Sequence, residues 1–321
     1  MLEKEEGKIK ILITGGLGHI GSKLIREYSK RADIKTIRIL DNFLCQRYCS
    51  LFNLPESCKF EFIEGDILNK EDVQKAVEGQ DVIIHLAALT DAPATFEDPE
   101  KTRRINFDGV ANVLSAAKKA GVKKFLFPST TSVYGEASGL IDENYIHCNP
   151  SSPYAESKLY AERIVLEGNE KNGIQTNVLR LGTIFGHSVG MRFHTAVNKF
   201  TWLACLGKPL TVWENAYNQK RPYLGLGDAI RAFEFIEKNG KGGERYNVLT
   251  NNYTVKDVVE TIKKFIPELK IETTKSPILN QKSYEVSDAK VRALGFLPQD
   301  NLSEEIQKTI KLLEVIKNDK L

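Results

Sequence analysis

Apolar runs alternate with helical patterns from the N-terminus to about residue 185. Short, near-continuous apolar stretches at 9–14, 36–41, 60–64, 82–86, 124–128 and 177–182 read as strands buried on both faces. Stretches at 19–31, 70–78, 100–120 and 154–171 read as helices. Asn69, with Asp72 three residues on, fits an N-cap, and Gly121 and Asn172–Gly173 fit helix stops. This alternation predicts an α/β fold, a doubly wound parallel sheet with right-handed crossovers. Ligands of such sheets bind at the carboxyl ends of the strands.

After residue 185 the rhythm changes. Thr195–Leu206 reads as a helix stopped by Gly207, and Leu210–Trp213 as a short strand. Asp228 is placed to cap a helix through Lys238, and Thr254 one through Phe265, with Pro267 beyond. Ile306, Ile310, Leu313 and Ile316 form one stripe of a last helix. No repeat or linker intervenes. The reading is therefore a domain over 1–185 and a smaller α/β C-terminal substrate lobe over 186–321, some of whose segments return to the first domain. The cleft between them is the default site.

Composition narrows the function classes. The chain has 321 residues, 41% hydrophobic and 27% charged, with a net charge of +3 and no dense Lys/Arg run. That pattern points away from a nucleic-acid or membrane surface. MLEKEEGK at the start is too polar for a signal peptide, and no apolar run reaches spanning length, so a cytoplasmic protein is expected. Cys45, Cys49, Cys58, Cys148 and Cys205 lack CxxC spacing, and the histidines fit no HExxH pattern. They read as unpaired thiols of a reducing compartment rather than metal ligands.

The chemistry starts in Ile9–Gly21, IKILITGGLGHIG. Both G-x-G-x-x-G from Gly16 and T-G-x-x-G-x-x-G from Thr14 fit, between a strand and a helix. Missing Cβ atoms allow a tight turn and close approach of a pyrophosphate, whose charge meets the helix N-terminus. Asp41 ends the next apolar run, twenty residues after Gly21. There it would accept the adenosine ribose hydroxyls of NAD and repel a 2′-phosphate.

Tyr154-Ala-Glu-Ser-Lys158 places a phenol and an ammonium on one helix face. The ammonium, together with the positive nicotinamide ring of bound NAD⁺, is expected to stabilise the phenolate and so make Tyr154 a usable base near neutral pH. Pro128-Ser-Thr-Thr-Ser-Val-Tyr-Gly135 is a hydroxyl-rich run starting where the strand 124–128 ends. Thr130 there could hydrogen-bond the same substrate oxygen that Tyr154 deprotonates.

With these motifs the chain resembles the extended short-chain dehydrogenase/reductases of the nucleotide-sugar epimerase/dehydratase family. The likeness runs through TGGLGHIG, DN at 41–42, GDI at 65–67, HLAA at 85–88, Asn106, STTSVYG, PYAESK, LRLGTIFG at 179–186 and KRPY at 220–223. It implies a Rossmann sheet, an NAD cofactor, a nucleotide-diphosphate sugar as substrate, and catalysis by Thr130, Tyr154 and Lys158. The cofactor would lie on Gly15, Gly18, His19, Ile20, Gly21, Asp41, Asn42, Tyr154 and Lys158, with Asp66 and Ile67 beside the adenine. Leu86, Ala87 and Ala88 would line its pyrophosphate and ribose, Asn106 would support the strand ends, and Thr183 and Ile184 would sit by the nicotinamide. On the substrate side the likeness points to Thr131, Arg192, His194, Val212, Trp213 and Arg221, the last as the diphosphate contact. The family's dimer uses helices 100–120 and 154–171, so Val110, Leu114, Leu159 and Ile164 are candidate positions in a homodimer interface.

The reaction follows from what is missing. The 4,6-dehydratases of the family use an Asp–Glu pair after the catalytic threonine, where this chain has Thr131 and Ser132. The decarboxylases keep a glutamate at the position of Ser132. A 4-epimerase needs neither acid, and that activity is the expectation. A C4 dehydrogenase or 4-keto reductase would use the same residues. GMRFHTAVNKF…GKPLTV also looks somewhat like sulfoquinovose-type synthases. A non-catalytic NAD sensor would have no need of the intact Tyr/Lys pair.

Overall fold

The computed structural model describes residues 7–171, 173–275 and 284–314. Its elements run β1 (Ile9–Thr14), α1 (His19–Tyr28), β2 (Ile34–Asp41), β3 (Lys59–Glu64), α2 (Lys70–Val77), β4 (Val82–His85), α3 (Pro99–Arg103), α4 (Gly109–Lys119), β5 (Lys124–Thr130), β6 (Gly139–Ile141), α5 (Pro153–Glu167), β7 (Gln175–Leu181) and β8 (Thr183–Phe185). They continue through α6 (Ala196–Cys205), β9 (Leu210–Trp213), β10 (Lys220–Gly225), α7 (Leu226–Asn239), β11 (Glu244–Val248), β12 (Asn251–Thr254), α8 (Val255–Lys263), β13 (Ile271–Thr274), β14 (Tyr284–Val286), α9 (Ala289–Ala293) and α10 (Leu302–Leu313).

The central sheet has seven strands in the order β11-β7-β5-β4-β1-β2-β3, all pairs parallel. The chain order reverses at β1, which lies between β2 and β4, and that point opens the crevice at the strands' carboxyl ends. The pleat explains the continuous apolar runs. Ile11 and Ile13 face one buried layer with Leu24, Ile37 and Phe233, whereas Leu12 faces the other with Val113, Phe125 and Val165.

The chain returns to this sheet late. β11 supplies the seventh strand, and α7 packs Phe233 and Ile236 beneath it. Smaller sheets, β12-β10-β8 and β13-β9, flank a separate core built on Phe185, Phe200, Val212, Tyr223, Val259 and Ile306. The strands β6, β8 and β10 to β14 are absent from the sequence reading. They are three to six residues long, and sequences such as NNYT and IETT carry no apolar alternation.

Several local expectations hold. Asn69 caps α2 by accepting from Glu71 and Asp72 N–H groups, and Thr254 forms a capping box with Asp257. Others need correction. The helix expected over 100–120 is interrupted by a π turn at Arg104–Asp108, because the Asn106 side chain is pulled to Leu89 and Ser157. Asp228 caps nothing: α7 starts at Leu226, and the buried Asp228 carboxylate accepts from the Gln299 and Asp300 N–H groups and the Thr250 hydroxyl. Val110, Leu114 and Leu159, expected on a dimer face, are buried in the chain's own core, and Ile164 packs against it half-buried. Asn172 and Ile316 fall outside the described residues.

Candidate active site

The crevice is a cleft of about 1000 Å³ running from the end of β2 across β1 and β4 to β5 and α5. At its centre the glycine turn leaves β1. Gly15 has φ +65°, and a Cβ there would lie 2.6 Å from the Ala87 backbone. A Cβ on Gly21 would meet Gly16 at 2.6 Å, so this glycine lets α1 close on the turn. α1 begins without a side-chain cap and without an acid in its first turn, which leaves its positive end facing the cleft. The turn therefore forms a concave backbone cradle suited to an anion.

Asp41 sits at the cleft edge. Its carboxylate accepts from Leu17 N at 3.2 Å and Phe43 N at 3.0 Å. Burial raises its pKa, and the two N–H groups oppose the rise. A fixed acid beside an anion cradle fits a dinucleotide with free ribose hydroxyls. Gly18, His19, Ile20, Asn42, Asp66, Ile67, Leu86, Ala87, Ala88, Thr183 and Ile184 line the same cleft. Asn106 does not: fully buried, it donates to Leu89 O and accepts from Leu89 N, fixing the loop after β4 from behind.

At the other end the reacting groups meet. Thr130 ends β5, and its hydroxyl accepts from Ser132 N at 3.1 Å. Ser152 caps α5 through Ala155 N, with Pro153 at the first helical position. Tyr154 therefore stands in the first turn and Lys158 one turn on. Burial pushes the Tyr154 phenol up to about 12, opposed by a hydrogen bond with Thr130 and by the charge of Arg192. Lys158 Nζ donates to Pro128 O at 2.9 Å and lies 4.5 Å from the Phe127 ring centre. Burial pushes Lys158 down to about 7, opposed by Glu162. The sequence predicts that Lys158 lowers the phenol's pKa. In the structure the influences that lower it are Thr130 and Arg192, while Lys158 Nζ donates to Pro128 O.

The substrate-side residues divide. Arg192 and His194 line the cleft, but Arg192 bonds Thr90 and contacts Cys45 Sγ at 3.8 Å, on the cofactor side. Thr131, Val212, Trp213 and Arg221 lie outside the cleft lining. Thr131 is buried and donates to Leu181 O at 3.4 Å. Val212 is 2% exposed in the second core, so its side chain is not available to a ligand. Trp213, the next residue on β9, points outward and is 45% exposed. The Arg221 guanidinium lies 5.0 Å from the Tyr284 ring centre and donates to Lys220 O and Gln219 Oε1.

Sequence reasoning missed Arg47, Thr90 and Asp91 in the cleft, and His85 beneath it. The buried His85 Nδ1 lies 3.0 Å from Thr14 Oγ1, and burial pushes its pKa down to about 3, so it is a neutral brace between β1 and β4. Its place in HLAA was the available signal. All five cysteines are free thiols. Among the described residues, no group of three or more His, Cys, Asp or Glu side chains is arranged to hold a metal ion, and no helix is long and apolar enough to cross a membrane.

Comparison with known proteins agrees with this geometry. The profile of the NAD dependent epimerase/dehydratase family matches residues 11–248. A trifunctional UDP-glucose 4,6-dehydratase/UDP-4-keto-6-deoxy-D-glucose 3,5-epimerase/UDP-4-keto-L-rhamnose-reductase of Arabidopsis thaliana is 31% identical over 94% of the chain and 46% of its own length. The chain thus spans about half the length of the first curated relatives it matches. The dTDP-D-glucose 4,6-dehydratase of Homo sapiens is 28% identical over 94% of the chain and 89% of its own length. Among solved structures, UDP-glucuronic acid 4-epimerase from Bacillus cereus, in complex with UDP-glucuronic acid and NAD, superposes with a TM-score of 0.86 and 26% identity, covering 96% of this chain and all of that one. The chain belongs to the NAD-dependent epimerase/dehydratase family, in its extended short-chain dehydrogenase/reductase branch of nucleotide-sugar enzymes.

Proposed function

We propose that the protein is a nucleotide-sugar 4-epimerase. The observation that carries this reading is the pairing of Tyr154 and Thr130 at the cleft floor with hydroxyl side chains, Thr131 and Ser132, where a dehydratase needs acids. Thr131 is turned away to Leu181, so of these two Ser132 is the one that lines the cleft beside the pair. A hydroxyl is far too weak an acid to protonate a leaving C6 oxygen. The likeness to a 4-epimerase that binds UDP-glucuronic acid supports a UDP-sugar as substrate.

Gly15, Gly18, Gly21 and the N-terminus of α1 would hold the NAD pyrophosphate, and Asp41 its adenosine ribose. When bound, NAD would supply a reversible hydride acceptor for C4 of the sugar. The rest belongs to the chain's own groups. Once the positive nicotinamide of bound NAD opposes the burial that raises its pKa, Tyr154 would take the proton of the C4 hydroxyl at its phenolate oxygen and later give it back. Thr130 hydrogen-bonds the same oxygen and orients it. Lys158, beneath Tyr154 and anchored on Pro128, supplies positive charge to the site when protonated.

The dehydratase activity of the curated relatives favours a second reading, a 4,6-dehydratase with its acids elsewhere in the cleft, such as Asp91. Incubation with UDP- and dTDP-hexoses, followed by mass spectrometry and NMR of the products, separates the two. A C4 epimer of unchanged mass supports the epimerase. A product lacking the elements of water overturns it.

A further inference from the structure

The segment between β8 and α6 crosses the start of α1. Ser188 Oγ donates to His19 O at 2.9 Å, Gly190 N to Ser22 Oγ at 3.0 Å, and Arg192 N to His19 Nδ1 at 3.0 Å. Gly190 makes the crossing possible, since a Cβ there would stand 2.5 Å from Leu17 O. From the other side the loop after β2 reaches up to meet it. Cys49 Sγ contacts Val189 O at 3.8 Å, and Arg26 on α1 ties this loop down through the carbonyls of Ser50 and Phe52.

Arg192 lies where these segments meet. One guanidinium nitrogen bonds Thr90 on the loop after β4, and the other faces Cys45 on the loop after β2. The side chain therefore bridges the cleft in front of the phosphate cradle. Arg47 lines the same cleft, and its buried Nη1 has no hydrogen-bond partner. Burial lowers the pKa of Arg47, and the nearby charge of Arg192 is the next largest influence in the same direction. Two guanidiniums brought together with a buried donor unmet call for an anion between them.

We propose that Arg192 and Arg47, carried on two different loops, form a clasp across the cofactor cleft that closes on the NAD pyrophosphate and holds the dinucleotide in place between turnovers. The clasp rests on the placement of NAD and not on the reaction assigned above. A sugar nucleotide offers the same diphosphate chemistry, so the test has two arms.

In the first arm, the holoenzyme is mixed with excess radiolabelled NAD, and exchange of the bound dinucleotide is timed. Arg192→Ala and Arg47→Ala should each exchange about 10- to 100-fold faster than the parent, the usual effect of losing a charge-assisted hydrogen bond. Arg192→Lys, which keeps the charge and loses the fork, should fall between. In the second arm, UDP binding is titrated calorimetrically and should change less than about two-fold, because the clasp faces the cofactor. Unchanged NAD exchange in folded Arg192→Ala and Arg192→Lys would overturn the clasp. So would a loss of UDP affinity with NAD exchange unaltered, which would make Arg192 a substrate contact. Because exchange is read without turnover, neither result depends on which sugar reaction the enzyme performs.

Discussion

Glu162 and Arg180 form an ion pair whose side chains are 1% and 0% exposed, directly behind the reacting groups. Arg180 donates to the carboxylate at 2.7, 2.9 and 3.1 Å, and Ser129, the neighbour of Thr130, donates to it as well. Ser129 and Arg180 are register partners on β5 and β7, so Glu162 on α5 locks helix and strands together. Glu162→Ala strands a guanidinium without its anion, and breaking one partner of a buried pair costs about 3–5 kcal/mol. At about 2 cal/mol/K of unfolding entropy per residue, a 321-residue chain loses about 1.5 °C per kcal/mol. The midpoint should therefore fall by about 5–7 °C in calorimetry, with a matching shift in urea. Glu162→Leu combined with Arg180→Met removes both charges and should recover most of the loss, because apolar replacement of a whole buried pair is close to neutral. A single variant costing less than about 1 kcal/mol would refute the reasoning, and so would a double variant no more stable than the single one.

Tyr154→Phe keeps the ring and removes the titrating oxygen; kcat should fall roughly 10²–10⁴-fold, with KM little changed in steady-state assays. Lys158 falls from its usual 10.5 to about 7, so between these values the unfolded chain holds a proton that the fold gives up, and stability rises with pH across that window. Lys158→Met should remove this slope and be most stabilising below pH 7, as urea midpoints of the cofactor-free forms across the window will check. Asp41→Ala should narrow the preference for NAD over NADP in calorimetric titration, and NADP binding the parent as tightly as NAD would contradict the role given to Asp41.

The parts of the molecule legible in the sequence are those set by neighbours in the chain. The glycine turn, the Asn69 and Thr254 caps, the buried strands and the Tyr154–Lys158 pair all depend on spacings of a few residues. What escaped depends on partners far away. β11 reads as polar until β7, whose Asn177 pairs with Glu244 and Leu181 with Val248, supplies its neighbour. The π turn at Arg104–Asp108 exists because Asn106 reaches Leu89 and Ser157. The sequence pattern pointed Arg192 at the substrate, whereas Thr90 and Cys45 hold it on the cofactor side through loops that meet only in the fold. The burial that raises the Tyr154 phenol also depends on the whole fold, whereas spacing reveals only that Lys158 lies one turn away.

The central claim, transient oxidation at C4 with return to the same carbon, is tested most directly by a UDP-hexose carrying deuterium at C4 in ordinary water. The account predicts the C4 epimer with its deuterium still at C4, no label lost to solvent, and no net NADH during turnover. Deuterium lost from C4, NADH accumulating in step with a ketosugar, or a dehydrated product would contradict it.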